Sequence, residues 1–90
     1  MTQKKYTYDV SRKFVKSFKR YNIKTKKKIT QKIDVFLEDP YQPTLKTHKL
    51  TGKWKDYWAF SIEYNVRIMF KFVANDKVEF INFGPHGIYG

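Results

Sequence analysis

The chain has 90 residues, 41% of them hydrophobic and 19% aromatic, and no cysteine. That length holds one domain, the apolar content argues against a disordered chain, and the missing thiols exclude disulfide scaffolds and thiolate zinc sites. Nineteen Lys and Arg against eight Asp and Glu give a formal charge of +11, a balance that points to a polyanionic partner, either nucleic acid or an acidic protein.

The surplus is uneven. Residues 1–39 carry twelve basic and four acidic side chains, and residues 40–90 carry seven and four. No apolar run approaches the roughly 20 residues of a membrane span. Met1–Lys5 lacks the apolar stretch of a signal peptide. The sequence therefore reads as a cytoplasmic protein with no membrane association.

Lys5 to Val10 alternates Tyr6, Tyr8 and Val10 with polar residues, the period of a short strand. Ser11 then caps a helix whose apolar face is Phe14, Val15, Phe18 and Tyr21, with Asn22 read as its end. A second helix is predicted from Thr25 to Glu38, striped by Ile29, Ile33, Phe36 and Leu37. Its solvent side carries Lys24, Lys26, Lys27, Lys28 and Lys32. Pro40 stops it, because the residue before a proline is pushed out of the helical region. Both stripes read as core. A helix-turn-helix reading of this pair is weakened by the lack of base-reading side chains beyond Arg12 and Arg20.

Tyr41 to Trp54 reads as a structured loop. Three strands follow. Tyr57–Glu63 places Trp58, Phe60 and Ile62 on one face, and Val66–Val73 places Val66, Ile68, Phe70 and Phe72 there. Val78–Phe83 follows a hairpin turn at Ala74–Lys77, and the Gly- and Pro-rich tail from Gly84 ends it. The order is β-α-α-β-β-β. An α+β fold is expected, with an N-terminal strand, a helical hairpin and an antiparallel three-stranded meander, in a single domain over residues 1–90.

Few residues are suited to chemistry. His48 and His86 are the only histidines, both beside loop elements, and imidazole is the side chain that moves protons near neutral pH. Arg67 alone among the three arginines lies inside an apolar strand. Its planar fork can grip a phosphate through two parallel hydrogen bonds, or it can pair with Glu63 or Asp56. A two-residue turn at Tyr64-Asn65 would place Arg67 on the face of Ile62; a three-residue turn would place it opposite Glu63. No Gly-rich phosphate loop, nucleophile elbow, paired-carboxylate motif or metal-ligand spacing is present, so neither cofactor nor metal is expected.

Four runs taken together resemble a known family: His48-Lys49-Leu50-Thr51-Gly52, Tyr57 to Ile62, Asn65 to Phe70, and Ile81 to His86 with Tyr89. In order and spacing they are similar to the RelE/ParE superfamily of bacterial toxins, most of all to the RelE-type mRNA interferases and plasmid-stabilisation proteins. The resemblance implies the toxin of a type II toxin-antitoxin system, a metal-independent endoribonuclease that cuts mRNA on the ribosome and inhibits translation. The ribose 2′-hydroxyl would attack the adjacent phosphorus.

The match implies a role for each residue. Arg67 would steady the phosphate and transition state, and His86 would be general acid or base. Tyr89 would orient or stack on a nucleotide, and His48 would be a second acid/base group. Lys46, Lys49, Lys53 and Lys71 would contact phosphate. Partners implied are mRNA, the ribosome and an acidic antitoxin in a hetero-oligomer. Ser61 stands where many relatives carry Arg, Val66 where many carry an aromatic, and no acidic residue follows His86. The alternatives are a ParE-like toxin that poisons DNA gyrase without nuclease activity and a non-catalytic RNA-binding module.

Overall fold

The computed structural model of the chain describes residues 5–84; the expectations for His86 and Tyr89 lie outside them. Its elements are β1 (Thr7–Val10), α1 (Arg12–Lys19), α2 (Ile23–Glu38), β2 (His48–Lys49), β3 (Trp58–Glu63), β4 (Val66–Ala74) and β5 (Lys77–Gly84). Short 3₁₀ turns lie at Pro43–Leu45 and Gly52–Trp54.

Local chemistry sets the helix ends. The Ser11 hydroxyl accepts the Phe14 N–H at 3.0 Å and donates to the Ile81 carbonyl, so one residue caps α1 and fastens it to β5. Asn22 is not the end of α1 as its sequence position suggests. Its side-chain oxygen accepts the Thr25 N–H at 2.8 Å and starts α2, which begins at Ile23. At the far end Asp39 is extended, as the following proline requires.

The sheet runs β1-β5-β4-β3-β2. The expected antiparallel meander of β3, β4 and β5 is present, with two additions. β1 joins as an edge strand parallel to β5, which makes the sheet mixed. His48 and Lys49, read as loop, form the other edge against β3. Three residues are extra in the ladders, namely Ile62, Val73 and Ile81, each a bulge that shifts register by one.

Both helices cover one face. There Phe36 of α2 stacks on Phe60 at 4.3 Å between centroids and meets Phe70 edge-on at 4.7 Å. Phe36, Phe60, Phe70 and Phe80 are fully buried, with Phe14, Ile29 and Leu37 from the helices around them. Such aromatic pairs add about 0.5–1.5 kcal/mol beyond their burial. The opposite face has no helix among the described residues. It carries a smaller cluster of Leu50, Ala59 and Met69, flanked by Trp54, Tyr57 and Ile81. No described helix is long and apolar enough to cross a membrane.

Candidate active site

Residues directly opposite one another in an antiparallel pair share a face. His48 lies opposite Ala59, and Ala59 opposite Met69. Two residues along, Ser61 lies opposite Arg67, and Arg67 opposite Gly84. His48 and Arg67 therefore stand on the same helix-free face, one strand apart. From strand spacing and rise, their α-carbons are on the order of 12 Å apart.

The bulge at Ile62 decides this placement. Glu63 pairs with Val66 across a two-residue turn, and the next rung would set Ile62 against Arg67. Instead Ile62 is looped out, buried in the main core with Val66, and the register resumes at Ser61–Arg67. Neither turn-based expectation holds. The reason is that an extra residue on one strand only restores the apolar face of β4 to the core.

Arg67 is half-buried, and its Nε is buried with no hydrogen-bond partner among the described residues. No described carboxylate lies within ion-pair distance of it. Glu63, one of the two carboxylates expected to pair with it, is bridged at 3.6 Å by Lys28 of α2. A buried cationic donor without an acceptor is costly, and an anionic oxygen is the group that would satisfy it. Arg67 lines a cleft of about 330 Å³ with Thr44, Lys46, Ser61, Glu63 and Tyr64.

Lys46 lines the cleft, whereas His48 does not and only shares its face of the sheet. His48 is exposed, with Nδ1 3.0 Å from the Lys46 carbonyl oxygen. A carbonyl only accepts, so that contact assigns the proton to Nδ1 and leaves the Nε2 lone pair free in the neutral ring. Lys46 itself has φ of 53°, the one positive value among the described non-glycine residues. Left-handed backbone costs a β-carbon residue of order 1 kcal/mol, and such outliers cluster at working sites.

The other lysines divide. Lys53 sits 5.5 Å from the centroid of the Trp54 ring, which flanks the cluster on this face. Lys71 shares the face of Arg67 but is bridged to Glu79 at 3.8 Å. Lys49 lies opposite Trp58, on the helix side of the sheet. It is not brought to the site, because the side-chain period of a strand is two and His48 takes the other face. Sequence reading missed Tyr64, 88% exposed at the mouth of the cleft. A large aromatic in a two-residue turn was the signal. No group of three metal-ligating side chains occurs among the described residues.

No protein-family model matches this sequence, and no curated protein is significantly similar to it. Solved structures do match its fold. The archaeal RelE-RelB complex from Pyrococcus horikoshii has a chain with TM-score 0.75 at 14% identity, over 93% of this chain and 98% of that one. A YoeB/ParE toxin from Agrobacterium tumefaciens gives 0.74 at 18%, over 89% and 98%. The E. coli DinJ-YafQ complex gives 0.70 at 22%, over 94% and 99%.

Proposed function

The chain has the RelE/ParE-type toxin fold, and from that premise we propose that it is a toxin of a type II toxin-antitoxin system that cuts mRNA, with Arg67 as its phosphate-binding centre. The observation that carries the reading is the buried, unpartnered Arg67 Nε on the same face as His48. The separation of the two backbones suits a ribose-phosphate unit held between their side chains.

In this reading the 2′-oxygen attacks phosphorus while a base takes its proton, and the departing 5′-oxygen takes a proton from an acid. The products are a 2′,3′-cyclic phosphate and a 5′-hydroxyl, so no water is consumed. His48, through Nε2, serves as one of the two proton-transfer groups. His86 follows Gly84, the rung partner of Arg67, by two residues in sequence and serves as the other. Arg67 holds the non-bridging oxygens and offsets the charge that grows on them, as a preorganised donor does. Lys46 and Lys53 steer the strand to the cleft, and Tyr89 orients a flanking nucleotide. The reaction needs no metal, since side-chain cations supply the positive charge.

The same fold reading includes an acidic antitoxin. A second groove, of about 200 Å³, runs between β1 and the helices, lined by Tyr8, Val10, Phe14, Phe18, Ile33 and Leu37 together with Thr30 and Asp34. Tyr8 and Val10 are exposed on an open strand edge, which supports docking of an amphipathic or extended partner segment. Among the structures with this fold are a RelE-RelB complex and the E. coli DinJ-YafQ toxin-antitoxin complex.

The test is expression of the chain with primer-extension mapping of mRNA ends, with and without ribosomes. New 5′ ends should appear with the parent, and Arg67→Ala should reduce them about 10²–10³-fold. Growth arrest with intact mRNA and a DNA-damage response would refute the nuclease and favour gyrase as target.

A further inference from the structure

From Ser11 to Ile33 the chain carries ten basic residues and no acidic one. Of this charge only Lys28 reaches the site on the sheet, through its bridge to Glu63 at the Arg67 cleft. α1 and α2 both bury their apolar residues in the core on the other side, so their outer surface faces away from Arg67. At about 100° per residue, Arg12, Lys13, Lys16, Lys19 and Arg20 fall within an arc of roughly 120°, centred opposite Phe14 and Phe18. On α2, Lys24, Lys27, Lys28 and Lys32 fall within roughly 140°, opposite Ile29, Ile33 and Phe36. All but Lys32 of these nine are exposed.

This arrangement works against the helices that bear it. Arg12–Lys16, Lys16–Arg20, Lys24–Lys28 and Lys28–Lys32 are like-charged pairs four residues apart, which destabilise a helix. Neither helix has an acidic residue in its first turn, and Arg12, Lys13 and Lys24 sit there against the dipole; only Lys16 and Lys19, in the last turn of α1, lie with it. Only Lys28 is bridged to a described carboxylate. A solubilising surface would alternate signs and gain from it; local rules broken without local compensation point to a function.

We infer that the outer surface of the α1–α2 layer is a second RNA-binding surface, which holds the phosphate backbone of a double-stranded segment while the opposite face acts on a single strand. Charge density fits, with five cations along the roughly 12 Å from Arg12 to the C-cap Arg20 against one phosphate per about 1.7 Å of duplex. The stripe contains no aromatic side chain. Single-strand sites depend on stacking platforms, and protein interfaces on aromatic anchors, whereas phosphate contacts to a duplex need neither. Lysine, a hydrated point charge on a flexible stem, suits contacts without sequence information.

The test compares two double variants of equal charge. Lys16→Gln with Lys24→Gln removes charge from the helix layer; Lys5→Gln with Lys55→Gln removes it elsewhere. Binding of a 20-base-pair RNA duplex is measured against salt, with cleavage of a short single-stranded RNA and thermal melting in parallel. The helix variant should bind the duplex at least tenfold more weakly, with a salt slope shallower by about 1.8. It should melt at or above the parent temperature and cut the short RNA like the parent. The control variant should keep most of the duplex affinity. Equal weakening by both variants, or an unchanged slope in the helix variant, overturns the inference. So does retained duplex binding with loss of binding to a poly-glutamate peptide, which would assign the surface to a protein. A parent that binds the duplex but cuts nothing would refute the nuclease and leave this surface standing.

Discussion

Arg67 carries contradictory demands. Its strand position holds β4 in the sheet, yet its Nε is buried without an acceptor. For a purely structural arginine, truncation should cost stability through lost packing. For a phosphate site, removing the unsatisfied donor should leave the melting temperature of the free protein unchanged or raise it. Arg67→Ala is expected to lose activity and keep or gain stability, and Arg67→Lys should not restore cleavage because a point charge cannot reproduce the fork. Calorimetry alongside a cleavage assay separates the two roles. His48→Ala should lower cleavage about 10²–10⁴-fold with no loss of fold, since the ring is exposed. A variant as active as the parent would remove His48 from the mechanism. Residue type made Arg67 legible in the sequence, as the one arginine in an apolar strand. Its environment was not legible, because that depends on Glu63 being taken by Lys28, a residue 35 positions away.

At the scale of elements, two caps do most of the local specification. Ser11 caps α1 and ties it to β5, so Ser11→Ala should destabilise by about 1–2 kcal/mol in denaturant titration. Asn22→Ala, which removes the α2 cap alone, should cost about 1 kcal/mol. Equal small losses would mean that the Ile81 contact adds nothing. Alternation in β3 and β4 was readable because one face is buried and the period is two. The parallel pairing of β1 with β5 was not, since it joins Thr7 to Lys77 and no local pattern encodes that partner. β2 was hidden for another reason: two residues are too few to show a period. Asn22 was misassigned because the same residue type ends one helix and begins another (its side chain accepts forward, toward Thr25).

The whole molecule is a two-layer object with its aromatic core between sheet and helices. Phe36 is the keystone of that core, fully buried among Phe60, Phe70 and Phe80. Phe36→Ala should cost about 3–5 kcal/mol, a large share of the stability of a domain this size, and a loss under 1 kcal/mol in urea titration would contradict this packing. Composition disclosed the net charge, but only the layer geometry divides it between a lysine-rich helix surface and the face that carries His48 and Arg67.

The most direct measurement is the crystal structure of the protein with an RNA oligonucleotide whose 2′-hydroxyls are methylated to block cleavage. A phosphate oxygen should lie about 2.7–2.9 Å from Arg67 Nε, with His48 Nε2 turned toward the adjacent ribose. RNA bound elsewhere, with the Arg67 Nε still unpartnered, would contradict the account.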